Sequence, residues 1–294
     1  MGRPAAALCF NKREKMISVY GATGFIGNEF CDLYSEQIVK IPKKQLKPET
    51  SEILYMISTI DNYNVFSNPH LDIDTNLKLL INVLEECKDR KDIVFNFVSS
   101  WFVYGKTDKL PAHEDSACNP KGFYSITKRT AEQLLISYCE TFKIKYRIFR
   151  LCNVYGKTDS KVSKKRNALQ HLIGEIVNDR DINLYNGGSD IRDFMHVKDV
   201  CRAINLCMEK SPLNEIINIG SGIPYKFIDL MSYVKEVLNS KSKLLSMDPP
   251  EFHKTVQIKD IYLDVSKLKK IQFIEEYNIW LGLNEIIQNY KENN

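Results

Sequence analysis

The chain contains the stretch Met16-Ile-Ser-Val-Tyr-Gly-Ala-Thr-Gly-Phe-Ile-Gly27, in which a short apolar run leads into three closely spaced glycines. Residues 16–20 are typical of a β-strand, and residues 28–34 are typical of a helix. Strand, tight glycine turn and helix together form the context in which such glycines bind a dinucleotide. The first glycine permits the turn, the second lets the backbone approach a pyrophosphate, and the third lets helix and strand pack closely. The helix N-terminus also favours the phosphate charge.

A second motif, Gly122-Phe-Tyr-Ser-Ile-Thr-Lys128, places Tyr124 and Lys128 four residues apart. On a helix these two side chains lie on one face, one turn from each other. A phenol titrates at about pH 10 and is a poor base at neutral pH, but a neighbouring ammonium lowers its pKa. The pair is therefore a candidate general acid/base, although the same spacing is also common on solvated helix faces.

Composition narrows the functional class. The chain has 294 residues and a net charge of +4, and it contains neither a long Lys/Arg block nor an apolar run of the roughly 20 residues that span a membrane. We therefore expect no nucleic-acid partner and no membrane insertion, and the small basic excess suits an anionic small-molecule substrate. The eight cysteines have no CxxC spacing, which indicates free thiols in a reducing cytoplasm and no metal site.

Together, the glycine turn and the Tyr124/Lys128 pair resemble the extended short-chain dehydrogenase/reductase family, whose members include nucleotide-sugar epimerases, 4,6-dehydratases and 4-keto reductases. The resemblance implies an α/β fold, with a Rossmann-like doubly wound parallel sheet and a smaller C-terminal substrate-binding α/β part. It divides the chain into a leader, tag or extension (1–15), a dinucleotide-binding part (16–155) and a mainly nucleotide-sugar-binding part (156–294) interleaved with it.

The resemblance also implies ligands and partners. The cofactor would be NAD or NADP, and the substrate a nucleotide-diphosphate sugar. Dimerisation is common in the family, so a homodimer is expected, formed through helices predicted at 77–87 and 124–138.

The adenine side of the cofactor half departs from the family pattern. The second strand, Gln37 to Ile41, is followed by Pro42-Lys43-Lys44 instead of by an acidic residue. A lysine here suits a 2′-phosphate and hence NADP, or else belongs to an ordinary solvated loop. The next strand, Ile53 to Ile57, follows after only about ten residues, so a helix and a strand that normally intervene are expected to be missing or reduced.

The apolar run from Asp92 to Val98 predicts a buried parallel strand that ends at Ser99 and Ser100. By the family resemblance, Ser100 holds the reacting sugar oxygen and completes a catalytic set with Tyr124 and Lys128. The 4,6-dehydratases carry an Asp-Glu pair directly after this serine. Here Trp101 and Phe102 stand in those places, so the usual dehydratase chemistry is not expected. Glu114 and Asp115 in the following loop are expected to be solvated.

By the same resemblance, further side chains contact the cofactor or the substrate. The residues expected at the cofactor are Gly21, Thr23, Gly24, Phe25, Ile26, Gly27, Lys43, Ser58, Asn76, Ser99, Tyr124 and Lys128. Those expected at the substrate are Ser100, Asn153, Arg192 and Lys254. Asn76 serves equally well as a helix cap in this interpretation, and Lys254 stands where many relatives place an arginine that binds the diphosphate.

Charged residues of the second half have less specific interpretations. The basic cluster between Lys161 and Arg166 is either a solvated loop or a lid that attracts a diphosphate. Asp193 and Asp199 are expected to be structural, the latter as the cap of a helix from 200 to 210. His196 is expected to pack or to form a hydrogen bond.

The sequence leaves the reaction open between a 4-keto reductase and an epimerase acting at a sugar carbon, expected to be C4. A shortened adenine region favours a cofactor that exchanges, as a reductase requires. The motif Ser99-Ser100…Val103-Tyr104-Gly105 instead favours an epimerase. A non-catalytic NAD(P)-binding relative is the alternative from a different class.

Overall fold

The computed structural model describes residues 16–60, 62–159 and 167–293. The predicted leader at 1–15 and the basic cluster between Lys161 and Arg166 lie outside these residues. No helix in the described ranges is long and apolar enough to cross a membrane.

The described residues form twelve strands and ten α-helices. The strands are β1 (Ile17–Tyr20), β2 (Ile38–Lys40), β3 (Glu52–Tyr55), β4 (Val94–Ser100), β5 (Lys145–Leu151), β6 (Asn153–Tyr155), β7 (Ile182–Tyr185), β8 (Ile191–Arg192), β9 (Phe194–His196), β10 (Glu215–Ile219), β11 (Tyr225–Lys226) and β12 (Leu244–Met247). The helices are α1 (Phe25–Leu33), α2 (His70–Ile73), α3 (Leu79–Glu85), α4 (Phe123–Phe142), α5 (Ala168–Val177), α6 (Val197–Lys210), α7 (Phe227–Leu238), α8 (Glu251–Val256), α9 (Ser266–Lys270) and α10 (Ile279–Asn293).

Six strands form one parallel sheet in the order β10-β5-β4-β3-β1-β2. β1 pairs with β2 on one side and with β3 on the other, so that Ile17 lies opposite both Ile38 and Glu52. The chain therefore moves outward from β1 to β2 and then returns across β1 to continue in the other direction. The carboxyl ends of β1 and β3 form the crevice in which such sheets bind ligands. The predicted doubly wound α/β fold is confirmed.

The connection from β2 to β3 is unusually short. Residues 41–51 carry neither helix nor strand, whereas a parallel crossover usually spans about a dozen residues or more and contains a helix. The Ile41 amide donates to the Val19 carbonyl at 3.0 Å, and the Tyr20 hydroxyl donates to the Leu46 carbonyl at 2.6 Å. These bonds hold the connection against β1. Between β2 and β3, all of which is described, the helix and strand predicted to be missing are absent, and β2 forms the edge of the sheet.

The sheet is buried on both faces. In β3, Ile53 and Tyr55 pack into the core that includes α3 and α4, whereas Leu54 packs into the core that includes α1 and α6. This alternation is what a strand imposes, because successive side chains point to opposite faces. All seven cysteines in the described part of the chain are free thiols, as predicted.

A third core lies in the second half of the chain, where α5, α7 and α10 surround short strand pairs. β6 pairs with β9, whereas β10 returns to the main sheet beside β5. The division of the chain at residue 156 stays a prediction.

The helix predicted at 77–87 begins earlier than its sequence pattern indicates. α2 starts at His70 and continues without a break into α3 through a π-helical turn, Asp74–Lys78. π-helical turns are rare and often lie at functional sites. Here the turn carries Asn76, one of the residues predicted at the cofactor.

The glycine turn after β1 generates a test of the fold. A Cβ on Gly27 would lie 2.1 Å from the Gly21 carbonyl oxygen, whereas a Cβ on Gly24 would lie 3.3 Å from the same atom. We expect Gly27→Ala to lower the free energy of unfolding by about 1–3 kcal/mol, because backbone must move to make room. Gly24→Ala is the matched control, with a smaller loss. Urea unfolding measures both, and equal losses would contradict the packing argument.

Candidate active site

The glycine turn presents backbone, not side chains, at the carboxyl end of β1. Gly21 adopts a φ of +85°, and the Gly24 amide donates to its carbonyl at 3.0 Å. α1 begins immediately after Gly24 and has no acidic residue in its first turn. Thr23 is exposed beside it. A helix N-terminus with no acidic residue in its first turn, approached over glycines, suits a pyrophosphate.

The segment after β3 is fixed by Asn76. The Asn76 amide oxygen accepts from the Ser58 hydroxyl (3.1 Å) and from the Thr59 amide (2.9 Å). Its nitrogen donates to the hydroxyls of Thr59 (2.8 Å) and Thr127 (2.9 Å). Because these four bonds use the full capacity of an amide side chain, Asn76 joins the Ser58 segment to α4. It does not cap a helix, since it lies inside the π-helical turn.

The three residues predicted to be catalytic each lie in, or contact, the segment at the carboxyl end of β4. Tyr124 and Lys128 lie on the buried face of α4, and Ser100 is the last residue of β4. The Lys128 ammonium donates to the Val98 carbonyl at 2.7 Å, two residues before Ser100. The Ser100 hydroxyl oxygen accepts from the Phe102 amide at 3.3 Å, and the Phe102 ring contacts the Tyr124 ring edge-on at 5.8 Å between centroids.

Lys128 is only 2% exposed, and its ammonium lies 4.1 Å from the centroid of the Phe97 ring. Burial lowers the pKa of Lys128 to about 7, and the negative charge of Glu132 opposes this shift. The lysine therefore gives up a proton near neutral pH. A group in that state suits proton exchange with a neighbouring phenol.

Glu132 is a buried residue that the sequence analysis missed. Its two carboxylate oxygens accept from Arg150 Nε at 3.0 Å and Nη2 at 2.8 Å. The Ser99 hydroxyl donates to the same carboxylate at 2.6 Å, and Arg129 donates at 2.8 Å. Burial alone would raise the pKa of Glu132, but the bonds from Arg150 hold it below its ordinary value. The spacing from Tyr124, two helical turns on the same face, was the available signal.

Ser99, predicted at the cofactor, is thus engaged with Glu132. Glu114, predicted to be solvated, is buried: its carboxylate accepts from the Asn218 amide at 2.9 Å, and its carbonyl accepts from Arg150 at 2.9 Å. The prediction for Glu114 was wrong because the loop folds back against β10. Asp115 is exposed, as predicted.

Two aromatic residues connect the Tyr124 region to Arg192. The rings of Trp101 and Phe102 stack with centroids 3.9 Å apart, and Phe102 contacts Tyr124. On the other side, the Arg192 guanidinium lies 5.7 Å from the centroid of the Trp101 ring. Arg192 is nearly buried and also donates to the carbonyls of Ile191 and Lys259.

Asn153, predicted at the substrate, and Asp193 are joined by a hydrogen bond. The Asn153 side chain donates to the Asp193 carbonyl at 2.9 Å. The Asp193 carboxylate accepts from the amides of Ser221, Gly222 and Leu263 and from the Ser221 hydroxyl. The predicted structural role of Asp193 is confirmed.

Two predicted roles in α6 have different outcomes. Asp199 does not cap the helix, because α6 begins at Val197 with His196 as its N-cap. Asp199 instead accepts from the amides of Glu276 and Tyr277. His196 is buried and lies 2.8 Å from the Glu285 carboxylate, which confirms a packing and hydrogen-bonding role.

Two predicted ligand-binding lysines are exposed. Lys43 lies on the surface of the β2–β3 connection. Lys254 lies on α8 and pairs with Glu251 at 3.4 Å, with half of its side chain exposed. On the same helix, burial lowers the pKa of His253, and the charge of Arg192 lowers it further.

Comparison with known proteins begins with a family model described as the NAD dependent epimerase/dehydratase family, which matches residues 51–220. A UDP-glucuronate 4-epimerase of Thermodesulfobacterium geofontis is 29% identical over 232 residues, covering 77% of this chain and 68% of the relative.

Solved structures share the fold. A UDP-glucose 4-epimerase from Thermotoga maritima, solved with UDP-glucose, superposes with a TM-score of 0.84 at 22% identity, covering 94% of this chain and 99% of that chain. The protein RMD from Pseudomonas aeruginosa, solved with NADPH, superposes with a TM-score of 0.81 at 20% identity, covering 95% and 99%.

The buried lysine generates a pH-dependent prediction. The pKa of Lys128 is about 7 in the fold and about 10.4 in an unfolded chain. Between these values the unfolded chain binds more protons, so wild-type stability rises with pH. We expect Lys128→Met to stabilise the protein most at pH 7 and below, with a gain that shrinks as pH approaches about 10.

Urea unfolding at several pH values measures this difference. The exposed Lys121 supplies the control, since Lys121→Met should shift stability equally at every pH. A gain for Lys128→Met that stayed constant with pH would contradict the assigned charge state.

Proposed function

The chain belongs to the NAD dependent epimerase/dehydratase family, and from this premise we propose that it is an NAD(P)-dependent enzyme that acts on a nucleotide-diphosphate sugar. The proposed reaction is hydride transfer at a sugar carbon, C4. The observation that carries the proposal is the arrangement at the end of β4. There the buried Lys128 is hydrogen-bonded to Val98, and Tyr124 packs against Phe102 one helical turn away.

The residues around the glycine turn fit a dinucleotide. A Cβ at Gly27 would collide with the turn, and α1 presents its N-terminus without an acidic side chain. Gly21, Gly24 and the first residues of α1 would hold the pyrophosphate, and Lys128 would hold the nicotinamide ribose. When bound, the nicotinamide supplies the hydride acceptor or donor.

Side chains of the protein would carry out the proton transfer. The Tyr124 hydroxyl would remove or deliver the proton of the sugar hydroxyl, and Ser100 would hold the same oxygen. Lys128 donates one bond to Val98, and its remaining protons are available to the ribose. Because its pKa is about 7, it can also exchange a proton as Tyr124 changes charge. Positioned acid/base groups of this kind contribute roughly 10²–10⁴-fold to rate.

The substrate diphosphate is proposed to lie against Arg192, beyond the Trp101 ring and beside Asn153. A guanidinium suits a phosphate because it offers parallel donors. Its near burial strengthens such a contact. The named relative acts on UDP-glucuronate, and the Thermotoga structure holds UDP-glucose, which supports a UDP-sugar as the first substrate to test.

An epimerase is the leading proposal, because the Thermodesulfobacterium relative is named a UDP-glucuronate 4-epimerase. A 4-keto reductase is the second candidate, and one observation favours it. The 41–51 connection leaves the adenine side of the sheet without the usual helix and strand, which suits a cofactor that leaves after each turnover. A non-catalytic NAD(P)-binding module is the alternative, and mutagenesis of the proposed catalytic residues distinguishes it from an enzyme.

Tyr124→Phe tests the enzymatic role. We expect turnover to fall by about 10²–10⁴-fold, because the general acid/base is lost. The amount of dinucleotide bound should not change. Tyr138→Phe, on the same helix but outside the proposed site, is the control and should retain activity. Full activity in Tyr124→Phe would refute the mechanism, and inactivity of the wild type on all nucleotide sugars tried would favour the binding module.

The dinucleotide released on denaturing wild type and Tyr124→Phe also separates the two reactions. Chromatography that finds nearly one NAD per chain supports an epimerase, which must retain its cofactor through oxidation and re-reduction. A protein purified empty that binds NADPH more tightly than NADH supports the reductase and gives Lys43 its proposed role.

The homodimer is proposed on exposed apolar side chains of the α2–α4 face. Phe123 is 40% exposed, Ile126 43%, Leu134 38% and Leu71 39%. Such residues at helical spacing suit a partner helix. Light scattering should give twice the 34.1 kDa of one chain. Ile126→Asp should give the single-chain mass, whereas Leu213→Asp, exposed elsewhere, should not. A wild-type monomer would remove the proposal.

A further inference from the structure

His253 lies where the two parts of the chain meet. Its Nδ1 is 3.5 Å from the hydroxyl of Tyr63, which follows β3. The Tyr185 ring, at the end of β7, lies 4.6 Å from the imidazole between centroids. The neighbouring Phe252 contacts Tyr63 at 5.2 Å and Phe66 at 4.6 Å. Elements distant in sequence therefore hold the half-buried imidazole in place.

The segment that follows α8 reaches Arg192, because the Lys259 carbonyl accepts from its guanidinium, and the Arg192 charge acts on His253. Burial is the main cause that lowers the pKa of His253, and Arg192 lowers it further, while the Asp190 carboxylate opposes both. Two cationic groups, one permanent and one that titrates, thus share the place proposed for the diphosphate. Lys254, which the sequence pattern indicated for this purpose, is exposed and paired with Glu251.

We propose that His253, and not Lys254, is the second cationic group that binds the substrate diphosphate, and that it takes up a proton when the substrate binds. This inference rests on the proposed function, because it assumes a nucleotide-diphosphate substrate at Arg192. It assigns to that site a substrate-binding residue that the sequence pattern did not indicate.

The surrounding charges explain the proton uptake. Without substrate, the Arg192 charge favours the neutral imidazole, with Asp190 as the opposing charge. Tyr63 and Tyr185 contribute neutral groups from their elements, and on α8 Glu251 pairs with Lys254. A bound diphosphate would add two negative charges, which favour the imidazolium. Nδ1 faces Tyr63, which leaves Nε2 for a phosphate oxygen.

Histidine is suited to this linkage because its ordinary pKa lies at about 6.5. Each unit by which the diphosphate raises the pKa of His253 corresponds to about a tenfold gain in affinity for the protonated form. Affinity should therefore be constant at low pH, weaken as pH rises from the pKa of the free state to that of the bound state, and level off above it.

Isothermal titration of the full-length protein tests the proposal. A panel of nucleotide-diphosphate sugars that differ in base, beginning with UDP-glucose, identifies the tightest ligand. In these ligands both phosphates are esterified, so they lack the titration at about pH 6 of a terminal phosphate. At about pH 7, binding heats in two buffers of different ionisation enthalpy then give the number of protons taken up.

We expect wild type to take up a fraction of one proton and His253→Gln to take up none while binding about tenfold more weakly at low pH. Lys254→Gln should behave as wild type. His70→Gln changes an exposed histidine of α2 and is the matched control. His253→Lys, which stays charged near neutral pH, should keep its affinity at high pH but lose most of the uptake.

Each result decides a separate point. No proton uptake by wild type, or unchanged affinity and uptake in His253→Gln, overturns the role of His253 while leaving the proposed function intact. His253→Lys that binds as weakly as His253→Gln at high pH, with native circular dichroism, also overturns it. Failure of wild type to bind any member of the panel contradicts the proposed function itself.

Discussion

A buried ion pair joins the elements that carry the predicted catalytic residues. Glu132 on α4 accepts two bonds from Arg150 on β5 and one from Ser99 on β4. Neither charge reaches water, so each depends on the other, and removal of one partner of such a pair commonly costs about 3–5 kcal/mol. Because Tyr124, Lys128 and Glu132 succeed one another along one helix face, the pair fixes how far Lys128 lies from the end of β4 and where Tyr124 faces.

Contacts between the first and second halves of the chain are the second constraint on the proposed site. Asp193, in the second half of the chain, holds the segments around Ser221 and Leu263 through four hydrogen bonds. Beside it, the rings of Trp101 and Phe102 lie between Tyr124 and Arg192. These aromatic residues occupy the places that would carry proton-transferring acids in a dehydratase. They form a rigid wall that connects the proposed reacting centre to the proposed diphosphate site.

The short connection between β2 and β3 completes the core of the fold but provides little structure to enclose a ligand. The Tyr20 hydroxyl, Ile41 and Leu46 cover the sheet face that a crossover helix would otherwise cover. The core is therefore covered, but at the adenine end of the proposed cofactor site β2 is followed only by the exposed Lys43 and its neighbours. The nicotinamide end of the proposed cofactor site is therefore built from buried elements, whereas the adenine end has few, and this contrast is why cofactor retention distinguishes the two candidate reactions.

The sequence by itself determined the local elements and their faces, because the glycine turn and the helical spacing of Tyr124 and Lys128 depend only on near neighbours. It also indicated that the crossover helix and strand between β2 and β3 are missing, because the number of residues between two predicted strands can be counted in the sequence. Only the tertiary structure decided which charges are buried. Glu114 contacts β10, Asp199 holds the segment around Tyr277, and the Arg192 charge acts on His253 while Lys254 is exposed. These contacts join residues distant in sequence, and no local pattern encodes whether a charged side chain meets water or a partner.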